Sequence, residues 1–179
     1  MTEPSLPDKV VALDDALNRA RVAHAFGGAL ALAYYAEPRA TIDIDVNVFV
    51  PPNEWQAIAA AVAALGVETR DASPEPDGQC RWWWGRTPID LFFSYAEIHE
   101  AMSHATRRVP FGSTSIPVLG PEHLIVCKVV FDRVKDWLDV EQVLVTVSDL
   151  ERHEIERHLD ALLEPDDPRR ARYDALAAR

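Results

Sequence analysis

The sequence predicts an α/β (α+β) protein: a mixed β-sheet with flanking helices over residues 1–119, followed by a C-terminal helical bundle over 120–179 packed on that core. Three observations carry the prediction. In the 41–50 segment polar and aliphatic side chains alternate strictly from Thr41 to Val48, the period of a strand with one buried face. Residues 80–84 and 87–94 read as a hairpin around Gly85-Arg86. From Pro121 onward, apolar residues recur at helical spacing and nothing reads as a strand. A chain of 179 residues suits one ordinary domain or two small ones sharing a core.

The elements follow in order. Residues 8–24 carry a helix pattern, with Val11, Leu13, Leu17 and Val22 near one face. A short strand, a turn at Gly27-Gly28 and a second helix through Tyr35 come next, ended by Pro38. In the 41–50 strand, Ile42, Ile44, Val46, Val48 and Val50 point one way, and Thr41, Asp43, Asp45 and Asn47 the other. Asn53 is placed to cap a helix through Ala64 that Gly66 terminates. Residues 71–79 form a loop and 96–104 a helix. Two short strands flank Gly112-Ser113. Helices are expected near 121–132, 135–147, 150–163 and 168–178, with Pro121 as a favourable first helical residue.

The composition, 48% hydrophobic and 26% charged, is that of a globular chain. No apolar run approaches the roughly 20 residues that a bilayer span requires. The beginning, MTEPSLPDKV, lacks the order of a signal peptide. Cys80 and Cys127 do not make a disulfide framework. The expectation is a reduced, cytoplasmic protein. The net charge of −11 weakens long-range attraction to nucleic acid and favours a cationic small molecule or a basic protein partner.

Chemistry is concentrated in Asp43-Ile44-Asp45. Aspartate is depleted in strands. Two of them two residues apart present both carboxylates on one face, with roughly 7 Å between their Cα atoms. Hard divalent cations seek such clusters of carboxylate oxygens. The ordinary alternative is a half-exposed strand with two solvated aspartates. Asp90, in Thr87-Pro88-Ile89-Asp90-Leu91-Phe92-Phe93, is again a carboxylate in an apolar strand. A strand beside the first brings it next to Asp43 and Asp45, and three carboxylates suffice for two ions in phosphoryl displacement. Gly27-Gly28 ahead of a helix lets backbone N–H groups approach a phosphate closely.

The order Phe26-Gly27-Gly28, Asp43-Ile44-Asp45 and Asp90 resembles the signature of the polymerase-β-like nucleotidyltransferase superfamily. The longer series Gly27-Gly28-Ala29-Leu30-Ala31-Leu32, Arg39-Ala40-Thr41, Asp43-Ile44-Asp45, with Lys128 and then Lys135-Asp136-Trp137-Leu138-Asp139, resembles the AbiEii/MenT-type nucleotidyltransferase toxins. The resemblance spans residues 22–145. It implies a nucleotidyltransferase-type mixed sheet and transfer of a nucleotide monophosphate from a nucleoside triphosphate to an acceptor hydroxyl. Asp43 and Asp45 would bind two magnesium ions. Asp90 would bind one of them and help activate the attacking hydroxyl. Gly27 and Gly28 would hold the triphosphate, with Arg39, Thr41, Lys128 and Asp136 as further nucleotide-site residues. Gly28 stands where much of the superfamily has serine, which removes one phosphate contact. The toxin subgroup implies RNA, a tRNA 3′ end, as acceptor and a neutralising antitoxin as partner.

Each of these residues has a plainer reading beside it. Lys128 pairs with Asp132 one helical turn on, or faces a polar cleft. Asp136 orients Lys128 or Arg133. Arg39 contacts phosphate or lies on the surface. Among Trp82-Trp83-Trp84, alternation sets Trp82 and Trp84 on one face, as core or as a stacking platform. His153 and His158 imitate a zinc motif, but their spacing makes them diverge around a helix. Arg169, Arg170 and Arg172 grip RNA or solvate a terminal helix. An RNA acceptor requires basic groups such as Arg39, Arg86, Arg107 and Arg108 to gather at the cleft mouth. Two other functions compete: nucleotidylation of an aminoglycoside- or lincosamide-like antibiotic, and a catalytically silent binding module.

Overall fold

A computed structural model describes residues 3–69 and 73–179. The first helix, α1 (Leu6–Arg19), starts at a capping box in which Ser5 and Asp8 satisfy each other's backbone N–H groups. It ends earlier than its periodicity suggests because Arg21 adopts a left-handed φ of 58° and turns the chain into β1 (His24–Phe26). Its buried stripe runs through Val10, Leu13 and Leu17 instead of Val11, which is half-buried. Lys9 on that stripe is buried as well, its ammonium donating to Glu3 Oε1, the Trp84 carbonyl and Thr87 Oγ1.

Helix α2 (Gly28–Leu32) follows, three residues shorter than expected. Strand β2 (Ile44–Val48) is also shorter than its sequence pattern. Its pairing begins at Ile44↔Ile89, so the residues before it have no neighbouring strand, and Ile42 is 77% exposed. Aliphatic alternation alone therefore overstated the strand. Asn53 does not cap α3 (Trp55–Val62) but lies inside a 3₁₀ turn, Pro52–Glu54, that precedes it. Strands β3 (Gln79–Trp84) and β4 (Thr87–Phe93) form the expected hairpin, with Gly85 at φ 59° in its turn. Of the predicted 71–79 loop, residues 71 and 72 lie outside the described residues. Helix α4 (Glu97–His104) and strands β5 (Arg107–Phe111) and β6 (Thr114–Val118) come next. The remainder is helical, as the sequence indicates: α5 (Pro121–Phe131), α6 (Val134–Thr146), α7 (Arg152–Leu162) and α8 (Pro168–Ala177).

The six strands form one mixed sheet in the order β3-β4-β2-β1-β6-β5. The pairs β2–β4 and β1–β6 are parallel, and the other three are antiparallel. One continuous apolar core links the sheet to the helices, from Val10 and Leu17 through Ile44, Val46 and Ile89 to Val140, Ile155 and Tyr173. Trp82 and Trp84 are in that core and Trp83 is 43% exposed, so their alternation holds and burial accounts for two of the three rings. Among the described residues no helix is long and apolar enough to cross a membrane.

Candidate active site

The parallel pairing of β2 with β4 sets Asp45 and Asp90 as direct register partners, in the middle of the sheet. Asp43 lies just before β2, two residues upstream of Asp45. The three carboxylates do not experience the same field. Burial raises the Asp45 pKa to about 6, and the neighbouring negative charges of Asp43 and Asp90 push it the same way. Burial also works against charge on Asp43. There the Thr41 hydroxyl, with Lys135 and Arg39 nearby, outweighs it and holds the carboxyl below its ordinary value. Asp90 accepts a two-pronged grip from Arg81, with Nε at 2.5 Å and Nη2 at 2.7 Å.

The third restraint is steric. Gly28 has a φ of +50°, and a Cβ built on it would lie 1.7 Å from Asp45 Oδ2. A serine there, as in the resembling superfamily, requires the Asp45 carboxylate to move. Gly27 is similarly close: its N–H donates to the Asp45 carbonyl at 2.9 Å, and a Cβ would approach Asn47 Nδ2 to 3.0 Å. Among the described residues, no three His, Cys, Asp or Glu side chains already converge as a cation cage. The donor set nevertheless suits a hard divalent cation: all-oxygen ligands, clustered negative charge, and Asp45 with no cationic hydrogen-bond partner among the described residues.

Two adjoining clefts meet at Asp45. The narrow one, about 110 Å³, has Gly27, Gly28, Lys128, Arg133 and Asp136 in its wall and extends toward Tyr95 and His99. The wider one, about 550 Å³, includes Glu75, Arg81, Asp90 and Arg133. Arg133 lines both, with its guanidinium 5.0 Å from the Phe131 ring.

Lys128 is buried and does not pair with Asp132. Its Nζ lies 2.5 Å from Asp139 Oδ2 and 3.6 Å from Asp136 Oδ1. Asp132 instead accepts from Trp137 Nε1 at 2.6 Å. Asp136 binds Arg133 through Nε at 2.6 Å, so it touches both cations between which the sequence left a choice. Arg39 reaches Asp139 with Nε at 3.2 Å and Nη2 at 3.1 Å, which ties the segment before Asp43 to α6. Burial opposes charge on Asp139, but the Arg39 and Lys128 hydrogen bonds lower its pKa. Thr41 donates to Asp43 and lines neither cleft.

Sequence reasoning missed Asp139, Arg81 and the double role of Arg133. Asp139 was findable: it sits three residues after Asp136 on the α6 face that carries the buried Val140 and Val143. Arg81 follows from the hairpin register, since Trp84↔Thr87 at the turn makes Arg81↔Asp90 a cross-strand pair.

The arginines on which an RNA acceptor depends do not gather. Arg86 is in the β3–β4 turn against Glu3, whereas Arg107 and Arg108 are on β5, at the opposite edge of the sheet. Arg169, Arg170 and Arg172 are engaged within the helical region, by Asp167 and the Val130 carbonyl, by Asp160 and Asp174, and by the Trp137 ring. His153 is exposed and His158 buried, so they diverge as their spacing indicates. Burial pushes the Cys127 thiol up to about 12, that of an inert packed sulfur.

No protein-family model matches the chain, and no curated protein matches it. Solved structures do. The solution structure of the antibiotic-resistance factor ANT(2'')-Ia superposes with a TM-score of 0.65 at 16% identity, covering 99% of this chain and 97% of that one. An antigenic nucleotidyltransferase-like protein from Paracoccidioides brasiliensis gives 0.56 at 13% identity, covering 95% and 92%. The lincomycin-bound lincosamide antibiotic adenylyltransferase LnuA gives 0.54 at 11% identity, covering 79% and 98%. The fold is of the nucleotidyltransferase type. At these identities the likeness is one of fold.

Proposed function

We propose that this chain is a magnesium-dependent nucleotidyltransferase that moves a nucleotide monophosphate from a nucleoside triphosphate to an acceptor hydroxyl. The observation that carries the reading is the register pairing of Asp45 with Asp90, with Asp43 beside them, in a nucleotidyltransferase-type fold. Asp43, Asp45 and Asp90 would hold two magnesium ions. When bound, these supply positive charge against the charge that develops at the transferred phosphorus centre. Gly27 and Gly28, without side chains, let the backbone come close to the triphosphate. Lys128 and Arg133 give the narrow cleft its positive charge, and Asp136 orients both. Arg39 helps hold Asp139 and through it Lys128, while Thr41 fixes Asp43. Asp90 accepts the proton of the attacking hydroxyl.

For the acceptor, a small cationic molecule is favoured. The wider cleft carries Asp45, Glu75 and Asp90, the net charge is −11, and the basic patch an RNA would need is dispersed. The solved structures with similar folds include an antibiotic-resistance factor and a lincosamide antibiotic adenylyltransferase, which supports a small-molecule acceptor. The second reading, an RNA-modifying toxin with a tRNA acceptor and a protein antitoxin, rests on the Gly27-Gly28, Arg39-x-Thr41, Asp43-x-Asp45, Lys128, Asp136 series. One assay separates them: purified protein, magnesium and α-labelled triphosphates, offered total RNA and a panel of aminoglycosides and lincosamides in parallel. Label on an antibiotic is the expected result. Label on RNA alone establishes the toxin reading, and label on neither overturns transferase activity.

A further inference from the structure

We infer that Arg81 is a built-in competitor for the metal site: its guanidinium neutralises the Asp90 carboxylate, takes the lone pairs that face it and opposes a divalent cation there. The inference rests on the carboxylates being the metal site proposed above. Three features of the chain carry it.

The first is that the three carboxylates are held in different ways. Asp43 is met by a neutral hydroxyl, that of Thr41, and Asp45 lies over the bare Cα of Gly28. Among the described residues, Asp90 alone of the three is hydrogen-bonded by a cation, through both of its oxygens, Oδ1 at 2.5 Å and Oδ2 at 2.7 Å from Arg81. A hydroxyl can rotate away and leave its carboxylate free to coordinate. A fork that takes both oxygens uses the lone pairs that face it and sets a positive charge beside them, so it competes with an inner-sphere cation.

The second is that the pair is built into the backbone. Arg81 and Asp90 are register partners on antiparallel strands, so the grip does not depend on a loop. The third is that the grip is able to open. The Arg81 side chain is 56% exposed, on strand β3 at the edge of the sheet, and it lines the wider cleft. Asp90 is itself 17% exposed, so a divalent cation can approach the pair from the solvent side and compete with the fork. Once released, the guanidinium stays in the wall of the cleft beside Asp90, positioned against whatever occupies that space. Arg81 is thus a positioning residue that sets the metal concentration at which the site fills.

Manganese binding to the full-length protein tests this without reference to activity. Bound and free Mn2+ are separated by electron paramagnetic resonance, in wild type, Arg81→Gln and Arg81→Lys, with circular dichroism and thermal melts to establish that each variant is folded. Arg81→Gln is expected to bind Mn2+ at least about fivefold more tightly than wild type. Arg81→Lys, which keeps the charge but loses the fork, should fall between them. Equal affinity in all three folded proteins would leave the metal site standing and overturn the role of Arg81. Absence of binding in all three would overturn the metal site itself and this inference with it.

Discussion

Two clusters of acidic and basic side chains lie within one fold, and they are balanced in opposite ways. In the helical half, Asp136 and Asp139 face Lys128, Arg133 and Arg39, and the Asp139 carboxyl is driven below its ordinary value. At the centre of the sheet, Asp43, Asp45 and Asp90 have among the described residues a single directly bonded cation, Arg81, and Asp45 is driven up to about 6. Both use the same residue types. The first is an ion-pair lock, in which each buried charge has its opposite in contact. The second keeps an excess of negative charge at the mouth of a cleft, which costs stability and fits the cation site proposed above.

The sharpest way to break this contrast is to remove one charge from each cluster. Asp45→Asn should reduce nucleotidyl transfer by at least about 10³-fold while the protein stays folded, because it relieves crowding instead of exposing an unpaired charge. Steady-state transfer and a thermal melt check both halves of the statement. Retained transfer with magnesium present would remove Asp45 from the site.

Asp139→Asn should do the reverse. It leaves the buried Lys128 with only the more distant Asp136, and the cost is about 3 kcal/mol in urea unfolding. The pair Lys128→Met with Asp139→Leu should recover most of that loss. A single variant as stable as wild type would mean that the lock is not one.

A third effect is on pH. The folded-state pKa of Asp45 is raised from 3.8 to about 6, so the folded protein holds this proton more tightly than the unfolded chain does. Its contribution is fully present below about pH 4 and is lost as pH rises through about 6. In metal-free buffer the wild type should lose about 3 kcal/mol relative to Asp45→Asn across that window. Melting curves of the two proteins from pH 4 to 8 measure it, and parallel curves would contradict the assigned environment.

The smallest effect is at Gly28. Alanine there meets both a left-handed backbone and the Asp45 carboxylate, and should destabilise by about 1 kcal/mol. Part of the cost should vanish in an Asp45→Gly background. An unchanged penalty would assign the glycine to backbone conformation alone.

Local signals carried a long way. Glycine turns, prolines and apolar periodicity located the helices and strands to within about five residues, because these patterns are set by neighbours in the chain. Residues 41–50 mark the limit. Alternation persists through Ile42, but a strand requires a partner, and β4 supplies one only from Ile44 onward. Lys128 marks another. Its sequence offered Asp132 as a helical neighbour, whereas the structure gives it Asp139 across the α5–α6 turn.

The sequence by itself determined the α/β-then-helical architecture and the residue types of the candidate site. Those properties depend on periods of two and of 3.6 residues, which are local. Tertiary structure alone decided that Asp90 aligns with Asp45, that Arg81 closes on Asp90, that Lys128 and Arg39 share Asp139, and that the arginines disperse to opposite edges of the sheet. Each of these depends on which strands and helices become neighbours. That choice is made by burial of the whole apolar core, so no short stretch of sequence encodes it.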